Sequence, residues 1–216
     1  MKRRSIALVV LALILSGGCL WAQEYGGNLR KAFFAPGSLD PAFLADITAD
    51  EIGRMWGDFL VYVDEGLRPD QNRSLAEKWS ASADGLTWTF NLRKGVKFHN
   101  GQELKAVDVK FTFNRLRDPA LGAATVGLYA NVADITTPND YTVVFKLKQS
   151  NPDFLTDLGD YHTVIVWSGT KDFAKEQIGT GAFMVDKYLP EDRMTFRRNP
   201  SSVSYTHLRA HETVLD

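Results

Sequence analysis

A chain of 216 residues, 44% hydrophobic and 24% charged, carries enough apolar surface for one folded domain or two small ones. Its formal net charge of −1 leaves no basic surplus to neutralise phosphates, which argues against a nucleic-acid partner. With one cysteine, Cys19, no intrachain disulfide framework is possible, so the fold must rest on its core.

Residues 1–22 read as a targeting segment. Lys2, Arg3 and Arg4 precede an apolar run from Ile6 to Leu15, which is shorter than the roughly 20 residues a bilayer requires. Cleavage after Ala22 would leave Gln23 at the mature N-terminus. The rival reading makes Cys19 a lipidated residue after Ser16-Gly17-Gly18. Both take the protein out of the cytoplasm, and a periplasmic location is expected.

The first strand is expected at Gly27–Phe34. The turn pairs Pro36-Gly37 and Asp40-Pro41 then mark a shaped loop. Thr48-Ala49-Asp50-Glu51 has the form of a capping box, with Ile52, Met55, Trp56, Phe59 and Leu60 on one face of the helix that follows. Gly66–Ser74 is a polar loop. Trp88, Phe90 and Leu92 alternate with polar residues, the period of a half-buried strand, and Val96–Phe98 forms a second short strand before the Asn100-Gly101 turn. The period then changes. Ala106, Val109, Phe113 and Leu116 share a helical face, and Asp118-Pro119 ends it.

Leu121–Val132 reads as a short helix and loop, in which Tyr129 is either a core residue or an aromatic facing a ligand. Val132–Thr136 and Tyr141–Leu147 form a hairpin, Pro152–Leu158 a short helix with proline in its first turn, and Val164–Val166 a buried run. Gly179-Thr180-Gly181 lacks the length and the lysine of a phosphate loop; it reads as a tight bend before strands at Phe183–Tyr188 and Met194–Arg198. Val203–Thr213 resembles the translation of a transposase-type sequencing adapter. Residues 203–216 are therefore set aside, and the native gene is expected to continue past Ser202.

The wording from Trp79 to Gly101, W-x-x-S-x-D-G-x-T-W-T-F-x-L-R-K-G-V-K-F-H-N-G, followed by A-x-D-V-K-F-T-F from Ala106, resembles the family 5 extracellular solute-binding proteins. Ser38-Leu39-Asp40-Pro41, Gly179–Phe183 and Arg198-Asn199-Pro200 fit the same pattern. Ser74, Lys105 and Ala182 depart from it where the family commonly has Pro, Thr and Pro. The resemblance implies an α/β, periplasmic-binding-protein-like fold of type II, two lobes closing on a ligand. Residues 23–202 would be its first lobe, with an inserted subdomain at about 66–160. It further implies that the residues past Pro41, namely Leu44, Ala45, Asp46 and Ile47, line the ligand cleft. The implied protein is a monomeric, cofactor-free receptor delivering peptides or a similar small solute to an ABC permease.

Three alternatives stay open at this point: a receptor for nickel or a metal chelate within the family, an extracytoplasmic sensor, and an exported hydrolase. Against the hydrolase, no G-x-S-x-G or H-E-x-x-H occurs, His99, at a strand end beside a turn, reads as structural, and His162, in a D-Y-H-T loop, has no evident partner.

Overall fold

The computed structural model describes residues 29–32, 37–189 and 192–202. The expected leader, Cys19 and the stretch from Val203 lie outside them. Leu29–Ala32, the described part of a first compact unit, carries no helix or strand, so the strand expected at Gly27–Phe34 is not seen there. The remaining described residues belong to a second unit.

Four antiparallel strands build its main sheet: β3 (Ala76–Ala81), β4 (Thr87–Leu92), β5 (Val132–Asn139) and β6 (Thr142–Leu147), in the order β3-β4-β6-β5. Alternation fixes which face is buried. Phe90 and Leu92 of β4 turn inward with Val143, Phe145 and Leu147 of β6, in a register that sets Trp88 opposite Phe145 and Phe90 opposite Val143. Helix α2 (Ala106–Leu116) lies on that face through Ala106, Val109, Phe113 and Leu116, the four positions its spacing singles out. Phe113 meets Phe145 edge-on at 5.1 Å and Tyr129 at 5.2 Å, and Phe154 meets Phe145 at 5.5 Å. Such pairs add about 0.5–1.5 kcal/mol each beyond the area they bury.

Several expectations change. Val96–Phe98 is not a strand; Lys97 makes a single bridge to Glu103 across the Gly101 turn. Strand β3 has no alternating signature because a bulge between Ala76 and Lys78 resets its phase. The hairpin turn is only Asp140-Tyr141, and Pro138 sits inside β5, tolerated because β5 is an edge strand. Leu121–Val132 holds a single 3-10 turn, Ala124–Val126. The short helix α3 (Phe154–Asp157) starts after Pro152, not on it. The polar loop Gly66–Ser74 contributes to a small ladder, β1 (Tyr62–Val63) with β2 (Pro69–Asp70). Ser74, which stands where the family commonly has Pro, donates its hydroxyl to the Asp70 carbonyl at 2.6 Å and accepts the Tyr62 N–H at 2.9 Å.

Helix α1 (Ile47–Trp56) stops at Gly57, short of Phe59 and Leu60. Ile52 and Trp56 pack with Leu39, Phe59, Val164 and Val166 in a second apolar cluster. Val164–Val166 is buried as expected, bridged to Phe59 through Val164. The hairpin of β7 (Phe183–Leu189) and β8 (Arg193–Arg198) lays Val185, Tyr188, Met194 and Phe196 against the same cluster.

What ties these parts together is the strap Gly179-Thr180-Gly181. It crosses the end of α1 at backbone contact distance. A Cβ on Gly179 would lie 2.2 Å from the Trp56 carbonyl oxygen, and one on Gly181 2.5 Å from the Trp56 carbonyl carbon. In return the Gly181 N–H donates to the Trp56 carbonyl at 3.0 Å, and the Thr180 hydroxyl to Asp58 at 2.8 Å. We expect Gly179→Ala and Gly181→Ala each to cost ~2 kcal/mol or more in urea unfolding, because backbone must move. Gly127→Ala is the control. Gly127 has ordinary helical φ/ψ and open space at its Cβ position, so alanine there should be neutral or slightly stabilising.

Candidate functional site

Ser38-Leu39-Asp40-Pro41 builds the approach to the candidate ligand segment. Asp40 caps a 3-10 turn, Pro41–Phe43, by accepting the Ala42 N–H at 3.0 Å, and Pro41 supplies the preset φ of a first helical position. The Asp40 carboxylate is itself gripped by both terminal nitrogens of Arg115, one at 2.8 Å, and that guanidinium lies 3.8 Å over the Phe173 ring. Both side chains are largely buried. A bidentate pair of this kind holds direction as well as charge, fixing the turn to α2.

The chain leaves the turn extended. Leu44 has φ −64°, ψ 123° and Asp46 φ −147°, ψ 165°, after which α1 begins. Leu44 is buried, whereas Ala45, Asp46 and Ile47 are exposed, Ile47 at 79%. Asp46, not Thr48, is the N-cap, accepting the Ala49 N–H at 2.8 Å; Thr48 lies within the helix and is buried. The capping-box expectation was two residues late because Thr48 and Asp46 both suit an N-cap and only the exit angle of the chain decides between them. Among the described residues, the backbone N–H and C=O of Ala45 and the N–H of Asp46 take no hydrogen-bond partner.

Tyr129 lies elsewhere. It is 1% exposed, stacked edge-on against Phe113, and its hydroxyl donates to the Asp157 carbonyl at 2.5 Å. Burial pushes its pKa up. This is the core alternative of the two its sequence allows. It has no exposed ring face to offer a ligand.

His162, without an evident partner in the sequence, has two. Its Nδ1 lies 2.6 Å from Asp160 Oδ1 and its Nε2 2.8 Å from the Leu44 carbonyl oxygen. The partner 118 positions away in sequence was not legible from the D-Y-H-T loop. His99 is tied to the strap, with its N–H donating to the Gly179 carbonyl at 2.9 Å and its Nε2 3.2 Å from the Gly181 carbonyl. Burial pushes its pKa down against those bonds. Lys105 cannot cap α2. The Asp108 carboxylate accepts the Lys105 N–H at 2.9 Å, and the Lys105 ammonium serves Tyr141 and Glu103 instead. The Glu103 carboxyl is held down at about 2, first by the Gly95 N–H and then by Tyr141 and Lys105.

Two grooves lie away from Leu44–Ile47. One, about 450 Å³, is lined by His99, Gln177, Asp186 and Tyr188; the other, about 670 Å³, by Lys78, Asn91, Lys94 and Tyr141. Neither sets a nucleophile beside a base. No group of three or more metal-ligating side chains occurs among the described residues.

Comparison with known proteins bears on what this arrangement serves. The family model for bacterial extracellular solute-binding proteins, family 5 Middle, matches residues 72–209. The chain belongs to this family. Members of family 5 are binding proteins, not enzymes. The matched range passes Ser202, so it ends later than the point where the residue pattern is read to stop. A di/tripeptide-binding protein of Pseudomonas aeruginosa is 34% identical over 152 residues, covering 58% of this chain and 28% of that protein. A glutathione-binding protein of Escherichia coli O1:K1 is 27% identical over 199 residues, covering 88% of this chain and 37% of its own length. The oligopeptide-binding protein AppA of Bacillus subtilis, solved with a nonapeptide, superposes with a TM-score of 0.70 at 27% identity over 77% of this chain and 35% of that one. The fold is that of the two-lobed periplasmic binding proteins, and the chain spans about a third of the length of such relatives.

The geometry separates the two roles available to the segment. Asp46→Ala should cost about 1 kcal/mol by removing the α1 cap. Ile47→Ala, at an exposed side chain, should change stability by less than ~0.5 kcal/mol in the same urea titration.

Proposed function

We propose that this family 5 chain forms one wall of the solute cleft of a peptide receptor serving an ABC importer, with Leu44–Ile47 as its contact strip. One observation carries the reading. Leu44 and Asp46 are extended, Ala45–Ile47 are exposed, Ala45 and Asp46 have unpaired backbone groups, and the strip is anchored at both ends. Exposed extended backbone is what an extended peptide pairs with, since main-chain hydrogen bonds give affinity without demanding one side chain. The peptides named for the compared relatives support the same substrate class. Residues 23–202 act as the first lobe, with 66–160 inserted in it, and the exported receptor works as a monomer without a cofactor.

Recognition on this account is lobe closure. A second wall, supplied by the part of the relatives that this chain does not span, traps the solute and shifts an open–closed equilibrium. The closed form then docks on the permease. No bond is made or broken. Residues 23–202 on their own should bind weakly, in the millimolar range, or about −4 kcal/mol.

Titrating trialanine into isotope-labelled protein tests this. Amide shifts should concentrate at Leu44–Ile47 and saturate at millimolar peptide. Shifts gathered instead around the His99–Tyr188 groove, or none at ten times that concentration, would contradict the reading.

A further inference from the structure

We propose that His162 is a positioning residue for the solute-facing strip, holding Leu44 in place as an imidazolium and releasing it when the ring loses its proton. The proposal rests on Leu44–Ile47 being the contact strip, but the geometry beneath it does not.

Both ring nitrogens face acceptors, Asp160 Oδ1 at 2.6 Å and the Leu44 carbonyl at 2.8 Å. A neutral imidazole has one N–H to donate. Its other nitrogen would then point a lone pair at a carboxylate or a carbonyl oxygen, whichever remained. Only the imidazolium donates to both. The ring is 5% exposed, so water does not readily replace the lost bond.

The surrounding charges favour the proton. Asp160 also accepts the His162 backbone N–H at 3.0 Å, which keeps the carboxylate aimed at the ring. Asp50 acts on it from α1. Asp40, on the Pro41–Phe43 turn, is taken by Arg115. On α2, Asp108 is taken by Lys105 and Ser168. Burial alone would lower the His162 pKa, yet the Asp160 hydrogen bond and charge, with the Leu44 carbonyl, leave it raised.

The consequence has a definite sign. A histidine whose folded pKa is raised stabilises the fold fully below the unfolded value of about 6.5, and that contribution is lost as pH rises through the folded midpoint. The neutral ring keeps its one N–H on the stronger acceptor, the Asp160 carboxylate, so above that midpoint the Leu44 carbonyl loses its donor. The strip is then held only from the Asp40 side and by the α1 cap. A receptor built this way grips its solute better below the His162 midpoint than above it.

An NMR pH titration of the labelled chain decides the matter. His162 should titrate above 6.5, with both ring nitrogens protonated below its midpoint, and the Leu44–Ile47 amides should shift with the same midpoint. In Asp160→Asn the His162 midpoint should fall, and the strip's transition should fall with it. The proposal is wrong if His162 is neutral at pH 6, or if the strip does not follow its titration. The wild-type curve decides even if the variant does not fold. Adding trialanine to the same sample separates the two ideas. An intact pH response with no peptide shift at Leu44–Ile47 would sink the contact-strip reading and leave His162 as a strut.

Discussion

The Gly179-Thr180-Gly181 strap is the constraint on which the rest of the arrangement depends. It lies where backbone meets backbone, so no side chain larger than hydrogen fits at either glycine. Its hydrogen bonds reach three other segments: the α1 end through Trp56 and Asp58, the K-F-H-N-G turn through His99, and the R-N-P corner, whose Asn199 side chain donates to the Gly181 carbonyl at 2.9 Å. Segments that are far apart in sequence thus meet along one short stretch of chain. Hydrogen bonds to peptide groups fix position closely at a net gain of only about 1 kcal/mol each. The apolar clusters on either side supply most of the stabilisation.

That fixed frame bears on the proposed contact strip. A binding surface made of backbone works only if the backbone does not rearrange when solute arrives, because ordering it then would cost about 1–2 kcal/mol per residue. Leu44–Ile47 is short and is gripped before and after. Asp40 locks the incoming turn to α2 through Arg115, Asp46 begins α1, and His162 holds the carbonyl between them. Leu60, Val61 and Ile165 share one apolar cluster with the β4 and β6 faces.

Much of this was written in the sequence, and the misses have physical causes. Trp88-x-Phe90-x-Leu92 and the Ala106–Leu116 helix were legible because one face of each is buried and the other is not. The paired glycines declared a close approach, since nothing else accounts for two so near together. Strand β3 was hidden by its bulge, and the α1 cap by two candidates, Asp46 and Thr48, two residues apart. Tyr129 could be placed only once Asp157 was known to offer it a carbonyl. Ser74 and His162 act through partners that no local pattern discloses: the Tyr62 N–H in one case and the Leu44 carbonyl in the other. Long-range polar ties carry no periodicity, so a sequence read by periodicity passes over them.

The most direct test is hydrogen–deuterium exchange at the Ala45 and Asp46 amides, without and with a short peptide. The account predicts fast exchange in the free protein, marked slowing on peptide addition, and unchanged protection in the β4 and β6 strands. Slow exchange in the free protein, or exchange that peptide leaves untouched while another surface becomes protected, would contradict it.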